Sequence, residues 1–416
     1  MAKRILVVTQ HFWPENFRIN DMVEGFLADG LEVDVLCGLP NYPKGEWFDG
    51  YGPRGPFEEH FGTAQVFRAK EWPRKGNTSV NIFLNYVSWP LYAARALKRL
   101  PGGYDAVFCF NTSPVLMCWP ALRYAKKHKV PFTNYVLDLW PENLYSVLPV
   151  QNKLLRGIAQ SVSDWLYRRA DRLIAMSEPL QKRLMARTGK PAAQVAVIPQ
   201  YCEDFYAVPC PDAALEQRFG GRFNLVFTGT FTPAQSLETV IQAVCDARAQ
   251  GADALHLLLV GDGMSRDALQ TLVHELHAED FVTIYGSVPA KDIPKFTALA
   301  DALIVSLSDS PDLGLTVPGK VASYMAAAKP VVASMDGAGF DAVQQAGGLA
   351  CPACDAPALT RALVDLAAMP QAERTAMGQR IYDYYAAHYQ RRAILQQLER
   401  FILAGTVADA APQDVR

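Results

Sequence analysis

Short apolar runs, each followed by a turn and an amphipathic helix, constrain the fold of this chain more than any other feature. The runs lack polar alternation, so they predict strands covered on both faces, as in a parallel sheet. In the first half they occupy residues 4–9, 32–37, 106–110, 132–137, 172–176 and 195–198. The pattern restarts in the second half, at residues 224–227, 255–260, 282–285, 302–307 and 330–333. Two rounds of alternating strands and helices predict an α/β protein with two Rossmann-like domains.

The domain boundaries follow from chain length and from helix-breaking residues. A chain of 416 residues suits two or three domains. We predict a first domain at 1–207, a linker at 208–222, where prolines and a Gly-Gly pair occur, and a second domain at 223–385. Residues 371–403 favour helix, and the small, polar tail 404–416 predicts disorder. Tandem domains of this kind hold ligands in a cleft between the carboxyl ends of their sheets.

Composition and targeting signals narrow the functional classes. The formal net charge is -2, so a nucleic-acid partner is not indicated. No run approaches the ~18 apolar residues of a membrane span, and the amino terminus does not resemble a signal peptide. The 8 cysteines lie mostly singly in apolar runs, which favours free thiols in a reducing compartment. Cys351 and Cys354 have the spacing of a metal-binding or redox pair. We interpret this spacing as a coincidence within a loop, because one pair cannot complete a tetrahedral metal site. These features predict a cytoplasmic protein.

A glycine-rich turn follows the predicted strand 255–260. It consists of Gly261, Asp262 and Gly263. Glycines at a strand's carboxyl end let the backbone approach a ligand closely. Purely structural turns show the same pattern, so both interpretations stay open.

The segment from Thr316 to Lys320 predicts the start of a helix. Pro318 suits the first helical turn, and Thr316 or Val317 suits the cap. A helix start offers unpaired N–H groups and a partial positive charge, which together attract phosphate. Lys320 opposes this dipole, so either its ammonium group is solvated or an anion lies between it and the amides.

Two further segments follow predicted strands of the first half. In residues 11–20, Arg18 and Asn20 are candidates to face a pyrophosphate, although Asn20 is equally suited to cap the next helix. The segment lacks the G-x-G-x-x-G pattern, which argues against NAD or FAD. In residues 137–143, Asp138 is a candidate to orient a sugar hydroxyl or to accept a proton. Glu142 is a weaker candidate, because it suits the start of the next helix.

Several catalytic patterns do not occur in the sequence. There is no Walker A, G-x-S-x-G or His-Glu-x-x-His pattern and no Asp-x-Asp pair. A metal clamp on a pyrophosphate is therefore not indicated, and we expect no cofactor. Helix termini and basic side chains must then meet any phosphate charge.

Basic and aromatic residues alternate from Val66 to Leu100. Seven Arg or Lys residues oppose a single acid, Glu71. The aromatic residues between them are Trp72, Phe83, Tyr86, Trp89 and Tyr92. This mixture suits the interface of an anionic bilayer, and the alternative is an ordinary domain helix with a solvated basic end.

Taken together, these segments resemble family 4 of the retaining glycosyltransferases, which have the GT-B fold. The resemblance covers nearly the whole chain and is most specific in the second half, in residues 224–231, 257–263, 285–289, 301–307 and 329–332. In the first half, residues 9–21, 39–45 and 138–142 are similar to the fucosamine-type transferases of O-antigen and capsule assembly. That branch uses a UDP-linked amino-deoxy sugar as donor and a polyprenyl-diphosphate-linked sugar as acceptor.

The resemblance implies positions for the donor and for the last helix. Gly286 to Pro289 would present backbone to the uracil ring, the 316–320 helix start would meet the diphosphate, and residues 386–403 would return to the first domain. Asp138 would lie near the transferring sugar or the acceptor hydroxyl. The donor-binding residues expected are Asn16, Arg18, Gly229, Thr230, Gln235, Gly261, Asp262, Gly263, Ser287, Val288, Pro289, Thr316, Val317, Pro318 and Ser323. The catalytic residues expected are Asp138, Lys320 and Glu142.

This chain departs from the family where most members bind ribose and diphosphate. The two glutamates usual in the family are replaced by Leu315 and Ser323, and the Arg and Lys near the first glycine turn by Thr230 and Gln235. Lys320, assisted by Arg18, is therefore our candidate for the diphosphate charge.

The sequence predicts a retaining, metal-independent transfer from a UDP-sugar to a lipid-linked acceptor at the inner face of a membrane. Two alternatives remain. One is a UDP-sugar 2-epimerase of the same fold, and the other is a non-catalytic nucleotide-binding subunit of an assembly complex. The donor sugar, the linkage and the oligomeric state stay open.

Overall fold

The computed structural model describes residues 2–147 and 152–406, which divide into two compact units. The first unit runs to Ile198 and takes up the chain again at Arg392. The second unit spans Pro199–Arg391. Each unit has its own sheet with helices packed on it, so the predicted two-domain α/β fold is confirmed.

An eight-stranded sheet forms the centre of unit 1, in the order β3-β4-β2-β1-β5-β6-β7-β8. Its strands are β1 Arg4–Val8, β2 Glu32–Gly38, β3 Glu58–Phe61, β4 Ala64–Ala69, β5 Ala106–Asn111, β6 Phe132–Val136, β7 Arg172–Ala175 and β8 Val195–Val197. All pairings are parallel except that of β3 with β4. The apolar runs are buried because helices cover both faces. The helices before the second unit are α1 Arg18–Ala28, α2 Ser79–Ala96, α3 Cys118–His128, α4 Glu142–Val147, α5 Lys153–Arg169 and α6 Glu178–Thr188.

Unit 2 contains a six-stranded parallel sheet in the order β11-β10-β9-β12-β13-β14. Its strands are β9 Phe223–Thr228, β10 Leu255–Val260, β11 Val282–Gly286, β12 Ala302–Ser306, β13 Val331–Ser334 and β14 Leu349–Cys351. Its helices are α7 Ala213–Phe219, α8 Leu237–Ala249, α9 Arg266–Glu275, α10 Ile293–Leu299, α11 Gly319–Ala326, α12 Ala338–Gln345, α13 Ala356–Ala368 and α14 Gln371–His388.

Each sheet reverses its strand order at one point. In unit 1 the first strand β1 lies between β2 and β5, and in unit 2 β9 lies between β10 and β12. In doubly wound sheets the connections diverge at such a point and open a crevice at the carboxyl ends of the strands. The loops after β1 and β9 are therefore where each unit is built to hold a ligand.

The last helix, α15 Arg391–Ala404, packs on unit 1. Arg172 of β7 donates hydrogen bonds to the carbonyl oxygens of Phe401 and Ile402, at 2.9 and 2.7 Å. The predicted return of the C-terminal helix to the first domain is confirmed. It begins at Arg391 rather than at 386, because residues 389–390 separate it from α14. The tail 404–416 was predicted to be disordered, and its residues 407–416 lie outside the described part of the chain.

The predicted linker at 208–222 is instead part of unit 2. It contains α7, whose Leu215 and Phe219 are buried in the core of that unit. Asp212 caps this helix by accepting hydrogen bonds from the N–H groups of Ala214 and Leu215. The prolines and glycines that suggested a linker mark the two ends of a short helix, and the division between the units falls at Ile198.

Two predicted helix starts differ from the structure. Asn20 does not cap α1, which begins at Arg18; its side chain instead donates to the carbonyl of Glu15 at 2.7 Å. Pro318 is the N-cap of α11 rather than its first residue. Ser177 caps α6, accepting from the N–H of Leu180 at 3.2 Å.

The apolar segment near residues 82–94 forms the middle of α2. Among the helices that the structure describes, none has the length and hydropathy needed to cross a bilayer. The cysteines, including Cys351 and Cys354, are free, and the described residues contain no cluster of three metal-ligating side chains.

Candidate active site

The carboxyl ends of β9, β10 and β11 are joined by backbone hydrogen bonds. The N–H of Gly229 donates to the carbonyl of Val260, and the N–H of Gly261 to the carbonyl of Gly286, both at 2.9 Å. A Cβ atom at Gly261 would overlap the carbonyl oxygen of Gly229, and one at Gly263 would overlap that of Phe231. Glycine is required here because neighbouring turns pack backbone against backbone. This supports the structural interpretation of the 261–263 turn.

The first turn of α11 brings Lys320 to the end of β9. The Lys320 Nζ atom donates to Gln235 Oε1 at 2.6 Å and lies 3.8 Å from the centre of the Phe227 ring. A Cβ atom at Gly229 would stand only 3.0 Å from this nitrogen. In the described residues, no carboxylate lies within ion-pairing distance of Lys320. Burial lowers the pKa of Lys320 to about 7.

Tyr324, one helical turn after Lys320, fixes α11 against β9. Its hydroxyl accepts from the N–H of Thr228 at 2.6 Å and lies 3.2 Å from the Thr228 carbonyl oxygen. Residues four apart share one face of a helix, so the bond at Tyr324 also sets where Lys320 points. Ser308, after β12, donates to the carbonyl of Ala234 and links the two loops at the strand-order reversal of unit 2.

The amino end of α11 carries no side-chain cap. The Thr316 hydroxyl donates to the carbonyl of Leu313, and that of Ser323 to the carbonyl of Gly319. Neither hydroxyl therefore occupies the N–H groups of the first turn. These groups and the Lys320 ammonium together form a positively polarised surface.

In unit 1, Asp138 follows β6 as predicted and is held by Ser113. The Ser113 hydroxyl donates to Asp138 Oδ2 at 2.9 Å and accepts from the Trp140 indole N–H at 3.0 Å. Asn143 also donates to the Ser113 oxygen, at 3.3 Å. Burial raises the pKa of Asp138, and the hydrogen bonds with Ser113 and Asn143 lower it in part. Ser113 and Asn143 thus fix the orientation of the Asp138 carboxylate.

A buried polar cluster lies beside Asp138 at the same edge of the sheet. Glu71 accepts from Gln10 at 2.6 Å and from Asn41 and Asn85 at 3.0 Å each. Burial, with nearby Glu15 adding to it, raises the pKa of Glu71 well above its usual range. The four side chains that meet here come from separate loops and helices, so the cluster fixes the loops around the carboxyl end of β1.

Arg74 is a buried cation within this cluster. Its guanidinium lies 5.4 Å from the centre of the Tyr42 ring and 5.0 Å from that of Tyr86, and its Nε donates to Asn85 at 3.2 Å. Tyr86 interacts electrostatically with both Arg74 and Asp138. Among the described side chains, no carboxylate forms an ion pair with Arg74 within 4.0 Å. Arg74 is therefore a candidate to meet an anion near Asp138.

Each half of the chain matches a glycosyltransferase family model. Residues 17–200 match the model described as Glycosyltransferase Family 4, and residues 222–369 match that of Glycosyl transferases group 1. Together the two matches span most of the chain and support a glycosyltransferase with the GT-B fold. The two matches fall on the two units of the structure, one on each.

Two relatives have low sequence identity to this chain, but the matches extend over most of both sequences. The chain is 27% identical over 385 residues to a GDP-mannose-dependent alpha-(1-6)-phosphatidylinositol monomannoside mannosyltransferase of Mycolicibacterium smegmatis, covering 90% of this chain and 91% of the relative. It is 25% identical over 307 residues to a probable glycosyltransferase, WbjE, of Pseudomonas aeruginosa, covering 71% of this chain and 75% of the relative.

Solved structures confirm the GT-B fold. Sucrose-phosphate synthase from Thermosynechococcus elongatus is 18% identical with a TM-score of 0.71, covering 96% of this chain and 98% of that one. Anabaena HepE in complex with UDP is 15% identical with a TM-score of 0.68, covering 96% and 99%.

The remaining predicted donor residues of this glycosyltransferase lie at the carboxyl edge of unit 2. Thr230, Ser287 and Pro289 are exposed, whereas Val288 and Val317 pack partly against the core. Asp262 is engaged within its own turn, where it accepts from the N–H of Gly263 at 2.8 Å and lies 3.3 Å from Arg266.

The predicted residues of unit 1 fall into different surroundings. Asn16 is exposed, and Arg18, half-buried at the start of α1, interacts electrostatically with Tyr135 of β6. Glu142 forms an ion pair with Arg187 at 3.0 Å, and Arg187 also binds Asp164 at 2.7 Å. This pairing joins three helices and favours the structural interpretation of Glu142, so Asp138 alone remains the catalytic candidate in unit 1.

Sequence reasoning missed the Glu71 cluster and Arg74 as parts of the site. Two signals pointed to the cluster. Glu71 is the single acid in a basic stretch, and Asn85 interrupts an apolar run. A polar residue inside a buried helix requires a partner, and here that partner is Glu71.

Proposed function

We propose that this glycosyltransferase transfers a sugar from a UDP donor to a polyprenyl-diphosphate-linked sugar, with retention at the anomeric carbon. The donor sugar would be an N-acetylated amino-deoxy sugar, and the product would enter a surface polysaccharide such as O-antigen or capsule. The observation that carries the proposal is Lys320, a half-buried cation at an uncapped helix start, without a carboxylate partner among the described residues.

The proposed donor site uses backbone and one cation. The diphosphate would lie against the first-turn N–H groups of α11 and the Lys320 ammonium, and the uracil would lie against the backbone of 286–289. Most family members place a lysine where this chain has Gln235, and here the Lys320 ammonium donates to the Gln235 side chain. The charge is thus supplied from the helix rather than from the loop, and no metal is required.

The proposed reaction breaks the bond between the anomeric carbon and the UDP oxygen and forms a glycosidic bond to the acceptor oxygen. The negative charge that develops on the leaving diphosphate is stabilised by the helix amides and Lys320. The acceptor hydroxyl loses its proton to the leaving diphosphate or to Asp138. The products are UDP, the extended acceptor and one proton.

The proposed acceptor site lies in unit 1. Asp138, fixed by Ser113, would orient the acceptor hydroxyl. Arg74 would meet an anionic group of the acceptor, such as its diphosphate, because a buried cation is stabilised by a partner of opposite charge.

We also place the enzyme at the inner face of a membrane, through the segment from Val66 to Leu100. Within it, α2 exposes Val80, Phe83, Leu84, Leu91 and Tyr92. Arg95 and Lys98 follow at the end of the helix. Exposed apolar side chains beside basic ones suit the boundary between lipid headgroups and acyl chains.

A GDP-sugar is the second donor candidate. It is favoured by the similarity to a GDP-mannose-dependent mannosyltransferase, which extends over 90% of this chain. A guanine donor would use the same helix start for its diphosphate but would need a larger base pocket next to 286–289.

A nucleotide-release assay tests the proposal. The full-length enzyme is incubated with a panel of UDP- and GDP-sugars, each with and without a polyprenyl-diphosphate-sugar acceptor. We expect UDP release that depends on the acceptor. Release of GDP alone would overturn the donor assignment. Conversion of a UDP-sugar to its C2 epimer without acceptor and without net release of UDP, followed by chromatography of the UDP-sugars, would indicate the 2-epimerase. Nucleotide binding with no turnover in any combination would indicate a non-catalytic subunit.

A further inference from the structure

A large groove lies between α3 and α5 of unit 1, on the edge of the sheet opposite to Asp138. Its volume is about 590 Å³. The groove reaches Pro131 and Phe132, where β6 begins, and Asp171, just before β7. Asp138, by contrast, follows the carboxyl end of β6. The groove is therefore separate from the proposed transfer site.

Four cations line the groove: Arg123, Lys126, Lys129 and Arg169. In the part of the chain that the structure describes, none of the four has an ion-pair partner. Asp171 is the only acid in the lining, and its carboxylate accepts from the N–H of Phe132 at 2.8 Å. The groove therefore carries a positive charge that the protein does not neutralise.

Two tryptophans place the guanidinium groups at the groove. Arg123 lies 5.2 Å from the centre of the Trp119 ring, and Arg169 lies 5.3 Å from that of Trp165. Both tryptophans belong to the lining. Stacking on an aromatic ring restrains an arginine while leaving its N–H groups available to an anion.

The outer face of α5 continues the groove as an apolar stripe. Leu154 is 73% exposed, Leu155 54%, Ile158 52%, Val162 38% and Trp165 42%. Their spacing puts them on one side of the helix. Asn152 caps this helix, accepting from the N–H groups of Leu154 and Leu155 at 2.9 and 3.3 Å, so the stripe starts on ordered helix. The stripe and the groove meet at Trp165.

We propose that this surface binds an anionic glycerophospholipid of a bilayer. The headgroup phosphate lies among Arg123, Lys126, Lys129 and Arg169, and the α5 stripe enters the boundary between headgroups and acyl chains. The proposal deepens the membrane location given under the proposed function, and it depends on neither the donor nor Lys320.

Charge and length together favour a lipid surface over other occupants. The stripe covers twelve residues of helix, a rise of roughly 17 Å, which exceeds the size of a single small soluble anion. Apolar residues along one face with basic residues beside them are characteristic of helices that lie in an anionic interface. A second protein surface would have to supply both an acidic patch and a matching apolar ridge.

The test is flotation of the full-length protein with vesicles of phosphatidylcholine alone or with 30% phosphatidylglycerol. One variant combines Arg123→Gln, Lys126→Gln and Lys129→Gln, and a second combines Leu154→Ser and Ile158→Ser. The matched control removes three exposed cations of unit 1 that do not line the groove, by Lys127→Gln, Lys182→Gln and Arg183→Gln. Each surface cation contributes about fivefold to binding of an anionic bilayer, so we expect the groove variant to bind roughly a hundredfold more weakly. The apolar variant should also lose binding, whereas the control should stay within a few-fold of wild type.

Several outcomes would overturn the proposal. These are equal loss in the groove variant and the control, equal binding of wild type to neutral and anionic vesicles, and displacement from vesicles by 10 mM inorganic phosphate. A wild-type dimer that the apolar variant abolishes, without loss of vesicle binding, would assign the stripe to a second copy instead. Nucleotide release with a water-soluble acceptor is measured in parallel. If it persists while vesicle binding fails, the membrane surface is wrong and the transferase is not.

Discussion

Lys320 lies where its positive charge destabilises the folded protein. A cation in the first turn opposes the helix dipole, and its ammonium is packed against Phe227 rather than against water. Burial lowers the pKa of Lys320 to about 7, whereas the unfolded chain retains the ordinary value of 10.5. Groups with such shifts collect at functional sites, because the surroundings that destabilise the charge also strengthen its attraction to a ligand.

Substitution Lys320→Met should therefore stabilise the protein in the absence of ligand. Between about pH 7 and pH 10.5 the unfolded chain carries a proton on Lys320 that the folded chain has released, so folding stability rises with pH across this window. The cost of the buried charge is fully present below pH 7. We expect a melting temperature about 2–4 °C above wild type at pH 6 and a difference near zero at pH 10. Thermal melts at both pH values measure this.

The control is Lys295→Met. Lys295 pairs with Asp292 at 3.0 Å, which raises the pKa of Lys295, so its removal should give no gain at pH 6. A gain of equal size at both pH values for Lys320→Met would show that methionine packs better and that charge is not the cause.

Ser113 should tune the pH dependence of Asp138. Burial raises the pKa of Asp138, and the hydrogen bond from Ser113 holds it down in part. In Ser113→Ala the pKa of Asp138 rises further. If Asp138 acts ionised, the acidic limb of kcat/KM moves to higher pH, and Asp138→Asn lowers kcat by about a hundredfold or more.

Ser163→Ala provides the matched control, because Ser163 is a buried serine of unit 1 whose hydroxyl donates to the carbonyl of Ala159, within its own helix. An unchanged acidic limb in Ser113→Ala, with Asp138→Asn still inactive, would mean that Asp138 positions the acceptor without exchanging a proton.

The positions of individual residues were predictable where one strand end or one helix start determines them. Asp138 comes just after β6, and Lys320 lies in the first turn of α11, so a strand end and a helix start gave their positions. The Glu71 cluster was not predictable, because Gln10, Asn41, Glu71 and Asn85 are distant in sequence and no local pattern shows that they meet. Hydrophobic periodicity is a local pattern, so it does not reveal contacts between side chains that are distant in sequence.

At the level of elements, the donor site depends on turns that pack backbone to backbone. Gly261 and Gly229 touch directly, and the turn after β9 holds Gln235 and hence the Lys320 ammonium. The glycines thus contribute to the site indirectly, because their close packing sets the position of Gln235 and of Lys320.

Gly261→Ala tests this dependence. Its Cβ atom would overlap the Gly229 carbonyl oxygen, so β9 and β10 must separate at their carboxyl ends. We expect the free energy of unfolding to fall by more than about 2 kcal/mol and nucleotide binding to be lost. Denaturant unfolding and nucleotide titration measure the two effects.

Gly251→Ala isolates the cost of backbone conformation, because Gly251 also has a positive φ, of 98°, but has open space around it. It should lose about 1–2 kcal/mol and keep its affinity for nucleotide. Equal effects in the two variants would show that the packing of the turns is unimportant.

Helices and strands with uniform patterns were predicted well, and those with mixed signals were not. The strand at Leu255–Val260 was predicted to the residue, because an unbroken apolar run has one interpretation. The β3–β4 hairpin was missed, since β3 is short and polar, as an edge strand usually is. The helix α7 was mistaken for a linker because prolines and glycines bound it closely.

At the level of the whole molecule, the two halves have the same design. Each sheet reverses its order beside its first strand, and each places its candidate residues at the carboxyl ends. This much follows from the repeated rhythm of the sequence. The donor identity does not, because the family's usual glutamates and basic residues are replaced here and the charge comes from another element.

The most direct test of the account is calorimetric titration of UDP onto wild type and onto Lys320→Gln. Lys329→Gln is the control, since Lys329 is also a partly buried lysine of unit 2 with a lowered pKa, but it lies before the amino end of β13 and donates to the carbonyl of Ala298. A hydrogen bond to a charged group contributes about 1.5–3 kcal/mol, so we predict that Lys320→Gln binds UDP roughly 10- to 100-fold more weakly, with the control unchanged. Equal affinity in wild type and Lys320→Gln would contradict the claim that Lys320 meets the diphosphate.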